Sequence, residues 1–324
     1  MTRGRLASIL FLAGAFLAGT AAGAATLAPG DHEFTLIHGE LDRSYIVRVP
    51  PAVTSGKPLP AVLNFHGGAA HAREQKRYSR MDEVADREGF VAIYPNGSSG
   101  IGGRLLTWNA GVCCGPAAAA RVDDVGFVIA LLDDLARRVA LDPGRIYATG
   151  LSNGSMMAYR FAAEAAPRIA AVAGVAGAMT LDRFAPALPV PVMHIHSVDD
   201  GRALYDEGLG PVFPFTNTRV LHESVDNMLK KWIAHNGCPE QPQIGDTVRG
   251  RTGAADATHT ATRYRYAPCR GGTEVVLWKL AGAGHVWPGG LQDYLHRLLG
   301  ASTTVIDAND EMWRFFSRYR RRQQ

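Results

Sequence analysis

Short apolar runs of strand length recur along the chain, and stretches with helical spacing lie between several of them. These runs have the length and residue types expected of β-strands. They cover residues 44–49, 61–65, 90–94, 145–150, 169–173, 190–196 and 275–280. The pattern predicts a sheet built from these runs.

Three stretches have the character of helices. The clearest carries apolar side chains at helical spacing, begins after Asp123 or Asp124, either of which can cap it, and runs to about Val139. The other two cover residues 221–234 and 311–319. Strands that alternate with helices indicate an α/β fold with a mainly parallel central sheet and helices on both faces. In such folds ligands bind at the carboxyl ends of the strands, so the residues after each apolar run are the candidates for chemistry.

The N-terminal segment has the composition of a secretory signal peptide. Arg3 and Arg5 supply positive charge, residues 6–17 are apolar, and Ala22-Gly23-Ala24 fits a small-residue cleavage site. A membrane helix is the alternative interpretation, but the apolar run is short for one. We therefore predict a signal peptide over residues 1–24, no membrane anchor after its cleavage, and a secreted or periplasmic location.

Composition and charge restrict the remaining function classes. The formal net charge is +4 over 324 residues, and the four arginines 318, 320, 321 and 322 crowd the C-terminus. The chain therefore lacks the basic face that nucleic-acid binding needs. With 47% hydrophobic residues and no linker or internal repeat, residues 25–324 are predicted to form one enlarged α/β domain. The sequence does not indicate an oligomeric state.

The sequence Gly150-Leu151-Ser152-Asn153-Gly154 lies between a predicted strand and a helix-prone stretch. In this setting the Gly-x-Ser-x-Gly pattern is that of a nucleophile elbow, which holds the serine on a strained turn. Larger residues in place of the two glycines would block close packing of the strand and the helix. Ser152 is therefore the candidate nucleophile.

Two further strand ends carry the partners that a serine nucleophile needs. Asp199 and Asp200 follow the sixth apolar run, and His285 follows the seventh. The order Ser–Asp–His along the chain is that of the α/β-hydrolases. We expect His285 to act as the general base for Ser152 and an aspartate to orient its imidazole.

The turn His66-Gly67-Gly68 follows the second apolar run. The backbone N–H of Gly68 can face a developing oxyanion there, and the N–H of Asn153 is the second candidate donor of this oxyanion hole. We expect His66 to brace its own loop by a hydrogen bond rather than to act as a base.

Four cysteines permit three pairings in an oxidising compartment. We favour a disulfide between Cys238 and Cys269, because each of them flanks the end of a predicted element. The adjacent Cys113 and Cys114 either have separate partners or bond to each other.

Neither a metal nor a cofactor is expected. A zinc site would need Cys-x2-Cys or clustered histidines, and the sequence has neither pattern. His194 and His196 alternate on one predicted strand and share a face, but a metal bound there would need a third ligand. A serine nucleophile with a histidine base works without a cofactor.

With these motifs the chain resembles the secreted esterases grouped as polyhydroxybutyrate depolymerase-like, which are close to the feruloyl and acetylxylan esterases. The matching motifs are His66-Gly67-Gly68, Tyr94-Pro95-Asn96-Gly97, Trp108-Asn109-Ala110-Gly111 with Cys113-Cys114-Gly115, and residues 122–127, 150–157 and 284–289. The resemblance implies an α/β-hydrolase fold and hydrolysis of carboxylic esters through Ser152, Asp200 and His285.

Two features depart from the pattern of that family. Its members commonly carry His-Gly-Thr-x-Asp at the acid, whereas this chain has His196-Ser197-Val198-Asp199-Asp200. Alignment from His196 selects Asp200 as the acid, with Asp199 as the alternative. Residues 201–218 are longer than expected and rich in glycine, proline and aromatic residues. They either shape the acyl pocket or decorate the surface.

Trp108 and Trp287 are candidates for substrate binding. Trp108 either stacks on an aryl or sugar group or packs on the core, and Trp287 is expected to form a wall of the pocket. The predicted partner is a small, oligomeric or polymeric ester: hydroxybutyrate polyester, or the feruloyl or acetyl esters of plant polysaccharide. A serine peptidase of the same fold and a non-catalytic binding protein are the alternative functions.

Overall fold

The computed structural model describes residues 27–51, 57–98, 103–213 and 219–321, together with residues 1, 100 and 217. Apart from Met1, the predicted signal peptide over residues 1–24 lies outside the described residues. Across the described ranges, every helix is too short or too polar to traverse a lipid bilayer.

Within the described residues, ten strands form one sheet and two short strands form a separate hairpin. The strands are β1 (Gly30–His38), β2 (Leu41–Val49), β3 (Leu59–Phe65), β4 (Val91–Pro95), β5 (Leu141–Leu151), β6 (Ala171–Val175), β7 (Val192–Ser197), β8 (Gly208–Val212), β9 (Arg219–His222), β10 (Gln243–Arg249), β11 (Thr260–Tyr266) and β12 (Val275–Ala281). Their order across the sheet is β1-β2-β4-β3-β5-β6-β7-β12-β11-β10, and β8 pairs with β9.

The centre of the sheet is parallel and its edges are antiparallel. The strands from β4 to β12 in that order run in one direction, whereas β2 and β1 on one side and β11 and β10 on the other pair antiparallel. Strands β4, β6 and β7 are buried along their whole length, as expected where helices cover both faces. Strand β10 at the far edge is exposed along its whole length.

Helices pack on both faces of the sheet. They are α1 (Ala72–Ser79), α2 (Met81–Glu88), α3 (Gly115–Ala119), α4 (Asp124–Ala136), α5 (Asn153–Glu164), α6 (Val225–Asn236), α7 (His296–Leu299) and α8 (Ala308–Phe316), with 3₁₀ turns at Ala166–Arg168 and Arg270–Gly272. One hydrophobic cluster contains Phe127, Met157 and Trp232 from α4, α5 and α6. The other contains Val84 from α2 and Phe315 from α8. The predicted α/β architecture, with a mainly parallel centre and helices on both faces, is confirmed.

Side-chain caps fix where two of the predicted helices begin. Asp123 caps α4 by accepting the N–H of Gly126 at 2.9 Å, which is one of the two predicted alternatives. The helix predicted over residues 221–234 begins later than expected, because the Ser224 hydroxyl caps α6 by accepting the N–H of Asn227 at 3.0 Å. The residues before this cap belong to β9 instead.

The predicted disulfide between Cys238 and Cys269 is confirmed. It ties the end of α6 to the 3₁₀ turn that precedes β12. In the chain-entropy model, a loop of this length contributes about 3–4 kcal/mol to stability. The adjacent Cys113 and Cys114 pair with each other, which decides between the two alternatives left open by the sequence.

Candidate active site

Ser152 lies between β5 and α5 on a strained backbone. Its φ of 58° and ψ of −122° fall in a region that residues with a side chain rarely adopt. The turn is this tight because Gly154 approaches the carbonyl oxygens of Phe65 and His66, where any side chain would collide. The sharp turn expected of an elbow is therefore present, with Ser152 at its tip.

Asp200 and His285 are hydrogen bonded to each other. His285 Nδ1 lies 2.7 Å from Asp200 Oδ2, and both side chains are buried. Asp199, the alternative acid, is exposed and accepts the backbone N–H of Gly282 at 2.6 Å instead. Of the two candidate acids, Asp200 is the one that contacts His285.

The surroundings of Asp200 favour its ionised form. Burial by itself raises the pKa of this carboxyl, but the charge of His285 and hydrogen bonds from His196 and His285 outweigh burial and lower the pKa well below its usual value. Oδ1 also accepts the backbone N–H groups of Arg202 and Ala203 at 2.8 and 2.9 Å. A carboxylate can only accept, so Nδ1 of His285 donates to it and Nε2 is left to accept a proton.

Ser152 and His285 line one cavity of about 360 Å³. His285 keeps its hydrogen bond to Asp200 and, within the described residues, forms none to the Ser152 hydroxyl. Such bonds are often loose before a substrate binds and tighten in the complex. The cavity therefore brings the candidate nucleophile and the candidate base together without a hydrogen bond between them.

The candidate oxyanion hole lies beside the nucleophile. Gly68 lines the cavity, and a Cβ placed on it would lie 2.5 Å from the Phe213 ring and 3.6 Å from Cβ of Asn153. Asn153 is the first residue of α5, so its N–H has no partner within the helix. The two predicted donors therefore belong to neighbouring stretches of backbone at the same end of the sheet.

Trp108 is a core residue that braces this loop, and its ring does not line the cavity. The fully buried ring meets Phe65 edge to face with centroids 5.2 Å apart, and Nε1 donates to the carbonyl of His66 at 3.0 Å. Its backbone N–H and carbonyl bind the side-chain amide of Asn153 at 2.7 and 3.1 Å. Of the two alternatives that the sequence left open for Trp108, the structure shows packing on the core.

Trp287 is also buried, with 1% of its surface exposed. Its Nε1 donates to Asn309 Oδ1 at 3.1 Å, and its backbone N–H donates to the Tyr78 hydroxyl at 3.0 Å. The prediction that Trp287 forms a wall of the pocket is wrong, because its ring packs in the cluster that contains α8. Tyr294 and Leu298 line that part of the cavity instead.

His66 braces its own loop, as predicted. Burial lowers its pKa to about 3, although its hydrogen bond to the Gly67 carbonyl acts in the opposite direction, so the ring is neutral near pH 7. Its Nε2 accepts the N–H of Gly97 at 2.9 Å, and its Nδ1 lies 2.7 Å from the Gly67 carbonyl oxygen. With both nitrogens bound, His66 is a brace and not a base.

The hairpin of β8 and β9 forms one wall of the cavity. Pro211 and Phe213 line the cavity from the first arm, and Val220 and His222 line it from the second. The Phe213 ring lies directly against Gly68. The continuous described part of the longer segment, residues 201–213, therefore borders the cavity, which favours pocket shaping over surface decoration.

Three polar aromatic residues of the cavity wall were not predicted from the sequence: Tyr78, His222 and Tyr294. Tyr78 and Tyr294 stack with centroids 4.4 Å apart. Burial, followed by the nearby charge of His285, lowers the pKa of His222 to about 4. None of the three directly follows a predicted strand, so no local pattern marks them and only the three-dimensional packing reveals them.

The two histidines of β7 are turned toward protein groups. His194 Nε2 lies 3.0 Å from His196 Nδ1, and His196 Nε2 lies 2.8 Å from the carbonyl oxygen of Ala203. Throughout the described ranges, no group of three or more histidine, cysteine, aspartate or glutamate residues is arranged to hold a metal ion.

Two curated relatives illustrate the similarity of this chain to known proteins. Feruloyl esterase B of Piromyces equi is 27% identical over 248 residues, which make up 75% of this chain and 42% of that protein. The esterase-family protein NocK of Nocardia uniformis subsp. tsuyamanensis is 30% identical over 268 residues, or 80% of this chain and 74% of that protein. The chain thus spans less than half the length of the Piromyces enzyme.

Solved structures show the same fold. Acetyl xylan esterase from Aspergillus awamori superposes with a TM-score of 0.52 at 14% identity, covering 88% of this chain and 99% of that one. A ferulic acid esterase from Anaeromyces mucronatus superposes with a TM-score of 0.51 at 12% identity, covering 81% and 86%. At this level of identity the likeness concerns the fold, and it confirms the predicted α/β-hydrolase class.

The sequence profile described as Esterase PHB depolymerase matches residues 43–259, which is more than half of the chain. The matched range includes the turn around Gly68, the elbow at Ser152 and Asp200, and it ends before His285. The resemblance seen in the motifs is thereby confirmed: the chain belongs to the Esterase PHB depolymerase family.

Proposed function

We propose that this protein is a serine esterase that hydrolyses carboxylic esters through Ser152, His285 and Asp200. The observation that carries the proposal is the buried 2.7 Å hydrogen bond between Asp200 and His285 at the cavity that Ser152 lines. Membership of an esterase family supports the reaction class. The feruloyl and acetyl xylan esterases among its relatives and structural neighbours are consistent with it.

The reaction proceeds in two halves. In the first, Nε2 of His285 takes the proton of the Ser152 hydroxyl while the serine oxygen attacks the carbonyl carbon of the ester. The tetrahedral intermediate collapses, the bond to the alcohol breaks, and His285 returns the proton to the leaving alcohol. In the second half a water molecule attacks the acyl-enzyme in the same way and releases the acid. Asp200 keeps the imidazole oriented and stabilises its protonated form.

The intermediate carries its negative charge on the former carbonyl oxygen. The N–H groups of Gly68 and Asn153 are the proposed donors to this oxygen. One such donor is typically worth about 3–4 kcal/mol of barrier lowering. No cofactor takes part in these steps.

The proposed substrates are esters whose acyl group fits against the mixed apolar and aromatic wall formed by Phe213, Tyr294 and Leu298. Hydroxybutyrate oligomers or polyester, and the feruloyl or acetyl esters of plant polysaccharide, are the candidates. A parallel assay on hydroxybutyrate oligomers, methyl ferulate and acetylated xylan ranks them by kcat/KM.

The experiment that tests the function is the Ser152→Ala variant. We expect a folded protein that no longer hydrolyses p-nitrophenyl acetate, while a fluorophosphonate probe labels the wild-type chain at Ser152 and leaves the variant unlabelled. Hydrolysis retained by Ser152→Ala would refute the assignment. Failure of the probe to label the wild type favours a non-catalytic binding protein, and peptide-amide turnover that exceeds ester turnover favours a serine peptidase.

We also propose that the protein acts outside the cytoplasm, in the periplasm or after secretion. The signal-like residues 1–24 and the disulfide between Cys238 and Cys269 support this location. N-terminal sequencing of the protein isolated from its native cells is expected to begin near Ala25. A chain that retains Met1 would contradict the proposed export.

A further inference from the structure

Behind Asp200, three buried polar side chains stand in a line that the mechanism above does not use. They are Tyr159 of α5 and His194 and His196 of β7, each with 2% of its surface exposed or less. Tyr159 Oη lies 2.8 Å from His194 Nδ1, and His194 Nε2 lies 3.0 Å from His196 Nδ1. His196 Nε2 then lies 2.8 Å from the carbonyl oxygen of Ala203 and 3.3 Å from Asp200 Oδ2. The line leads from the core to the carboxylate that contacts His285.

The donor and acceptor of each hydrogen bond along this line can be assigned in turn, starting from Asp200. His196 Nε2 faces two oxygen atoms that only accept, so Nε2 carries the hydrogen. With the His196 ring neutral, its Nδ1 accepts, so His194 Nε2 donates to it. His194 Nδ1 then accepts from the Tyr159 hydroxyl, whose oxygen also lies 3.0 Å from the Met193 carbonyl oxygen, so this one O–H is shared between two acceptors. Burial lowers the pKa of His194 well below its usual value and keeps this ring neutral.

We propose that Tyr159, His194 and His196 are positioning residues that hold Asp200 where His285 reaches it. This inference rests on the proposed function. His196 shares Asp200 Oδ2 with His285, while the backbone N–H groups of the next turn bind Oδ1, so both carboxylate oxygens are restrained. The Tyr159 hydroxyl acts at the far end. Its O–H supports the His194 tautomer that donates to His196, and so supports the donor that His196 directs at Asp200.

The groups around Asp200 determine how a pH profile must be interpreted. The ring of Tyr205 packs against His196 with centroids 5.7 Å apart, and the ammonium of Lys279 lies 4.6 Å from the centre of the Tyr205 ring. Together, the titratable or charged side chains around the carboxylate are His196, His222, His285, Tyr78, Tyr205, Lys279 and Arg202. None of these is altered by a substitution at Tyr159, so a shift in the profile of that variant reports on the line itself.

The test uses Tyr159→Phe, which keeps the ring and removes the hydroxyl. Because the hydroxyl acts on the reacting groups only through other side chains, we expect kcat for p-nitrophenyl acetate to fall about tenfold with KM changed less than about twofold. The acid limb of kcat/KM is expected to move up by about 0.5 pH unit, because Asp200 then shares less of its charge with His196 and attracts the His285 proton more strongly. Tyr147→Phe is the matched control. It removes a buried hydroxyl that donates to the Tyr319 carbonyl at 2.8 Å, away from the cavity, and both readouts should stay at wild-type values.

A second pair of variants tests the donor at His196. His196→Gln keeps an N–H group near Asp200 and is expected to retain more activity than His196→Leu, which keeps none. Two-dimensional ¹H–¹⁵N spectra of ring-labelled histidines give a readout independent of activity. We expect His194 protonated at Nε2 in the wild type, and that pattern lost in Tyr159→Phe.

The failures of the two proposals are distinguishable. Full activity in Ser152→Ala removes the proposed function, whatever the tautomers are. An inactive Ser152→Ala combined with a folded Tyr159→Phe that matches the wild type in kcat and pH profile removes the positioning role alone. Wild-type spectra with the His194 proton on Nδ1 overturn that role as well.

Discussion

The two sides of the candidate site are built in different ways. On the side that contains Gly68 and Asn153, buried side chains form hydrogen bonds to the backbone. His66 binds the backbone of Gly67 and Gly97, and Asn153 binds the backbone of Trp108. Elsewhere around the cavity, the hairpin of β8 and β9 and residues 294–299 present mainly apolar side chains, and Leu298 is 44% exposed.

The difference separates two tasks. A buried hydrogen-bonding group is costly to leave unpaired, so the loop that would position the oxyanion donors has one arrangement only. Apolar walls tolerate exchange of side chains of similar size with small changes in free energy. We therefore expect changes on the polar side to affect kcat and changes on the apolar side to affect the choice of substrate.

The largest loss of kcat is expected at Asp200, which contacts His285, the proposed base. Asp200→Asn removes the charge that orients His285, and loss of the equivalent group in a serine triad costs about 10⁴ in kcat. Asp199→Asn is the matched control, because this neighbour is exposed and contacts Gly282 rather than His285. Steady-state hydrolysis of p-nitrophenyl acetate measures both. An active Asp200→Asn, or an inactive Asp199→Asn, would exchange the roles of the two residues.

A smaller loss of kcat is expected when the hydrogen bonds between Asn153 and Trp108 are removed. Asn153→Ala leaves the N–H of Trp108 unpaired, whereas the Trp108 carbonyl keeps the N–H of Cys114 at 3.1 Å. The unpaired N–H costs about 1–3 kcal/mol of unfolding free energy, and the substitution loosens the turn beside Ser152. We expect kcat to fall about tenfold or more, in line with a lost orientation rather than a lost group.

Asn236→Ala is the control for Asn153→Ala. Asn236 is a buried asparagine that binds the backbone of Val190 in the same reciprocal way, at 3.2 and 2.7 Å, and it does not line the cavity. Its loss should lower stability by a similar amount and leave kcat unchanged. Equal losses of kcat in the two variants would show that Asn153 acts through stability alone.

The buried His66 on the polar side should make the free energy of unfolding depend on pH. The pKa of His66 in the fold, about 3, lies below its ordinary value of 6.5, so the unfolded chain binds the proton more readily. Its contribution to stability is therefore complete above about pH 6.5 and is lost as the pH falls, at up to about 1.4 kcal/mol per pH unit.

Urea unfolding at pH 7 and pH 5 measures that loss. We expect the unfolding free energy to drop between the two values, and the drop to be smaller by about 2 kcal/mol in His66→Gln. The exposed His296→Gln is the control and should keep the wild-type drop. An identical pH dependence in His66→Gln and the wild type would contradict a buried neutral His66.

The smallest effect is expected on the apolar wall. Phe213→Ala removes a ring that lines the cavity against Gly68, so an ester with a bulky acyl group should bind differently while acetate esters are little affected. We expect a change of less than about tenfold in the kcat/KM ratio of methyl ferulate to p-nitrophenyl acetate. Val212→Ala, at an exposed neighbour that does not line the cavity, should leave the ratio unchanged. A large fall in kcat for acetate would contradict the separation of the two sides.

The sequence predicts the fold well, because periodicity and strand-end motifs are local signals. The strand that leads to Ser152, the cap at Asp123 and the disulfide between Cys238 and Cys269 all follow from neighbouring residues. The pairing of His285 with Asp200 could be expected for a related reason, since parallel strands end at the same edge of a sheet.

The sequence predicts the walls of the site poorly. Trp108 and Trp287 stand beside motif residues, yet their rings face the core, and the sequence around a tryptophan does not state which way its ring points. His222 and Tyr294 come from segments without a recognisable motif and reach the cavity only through packing. Side-chain direction depends on contacts between distant segments, so it could not be inferred from local patterns.

The fully exposed strand β10 has a practical consequence for handling the protein. It lies five strands away from β5 in the sheet, and at about 4.8 Å per strand this is about 24 Å from the strand that leads to Ser152. A cysteine introduced there at Thr247 could carry a fluorophore or couple the enzyme to a solid support. The mouth of the cavity would then stay open to the solution, so turnover by the immobilised enzyme could be followed directly.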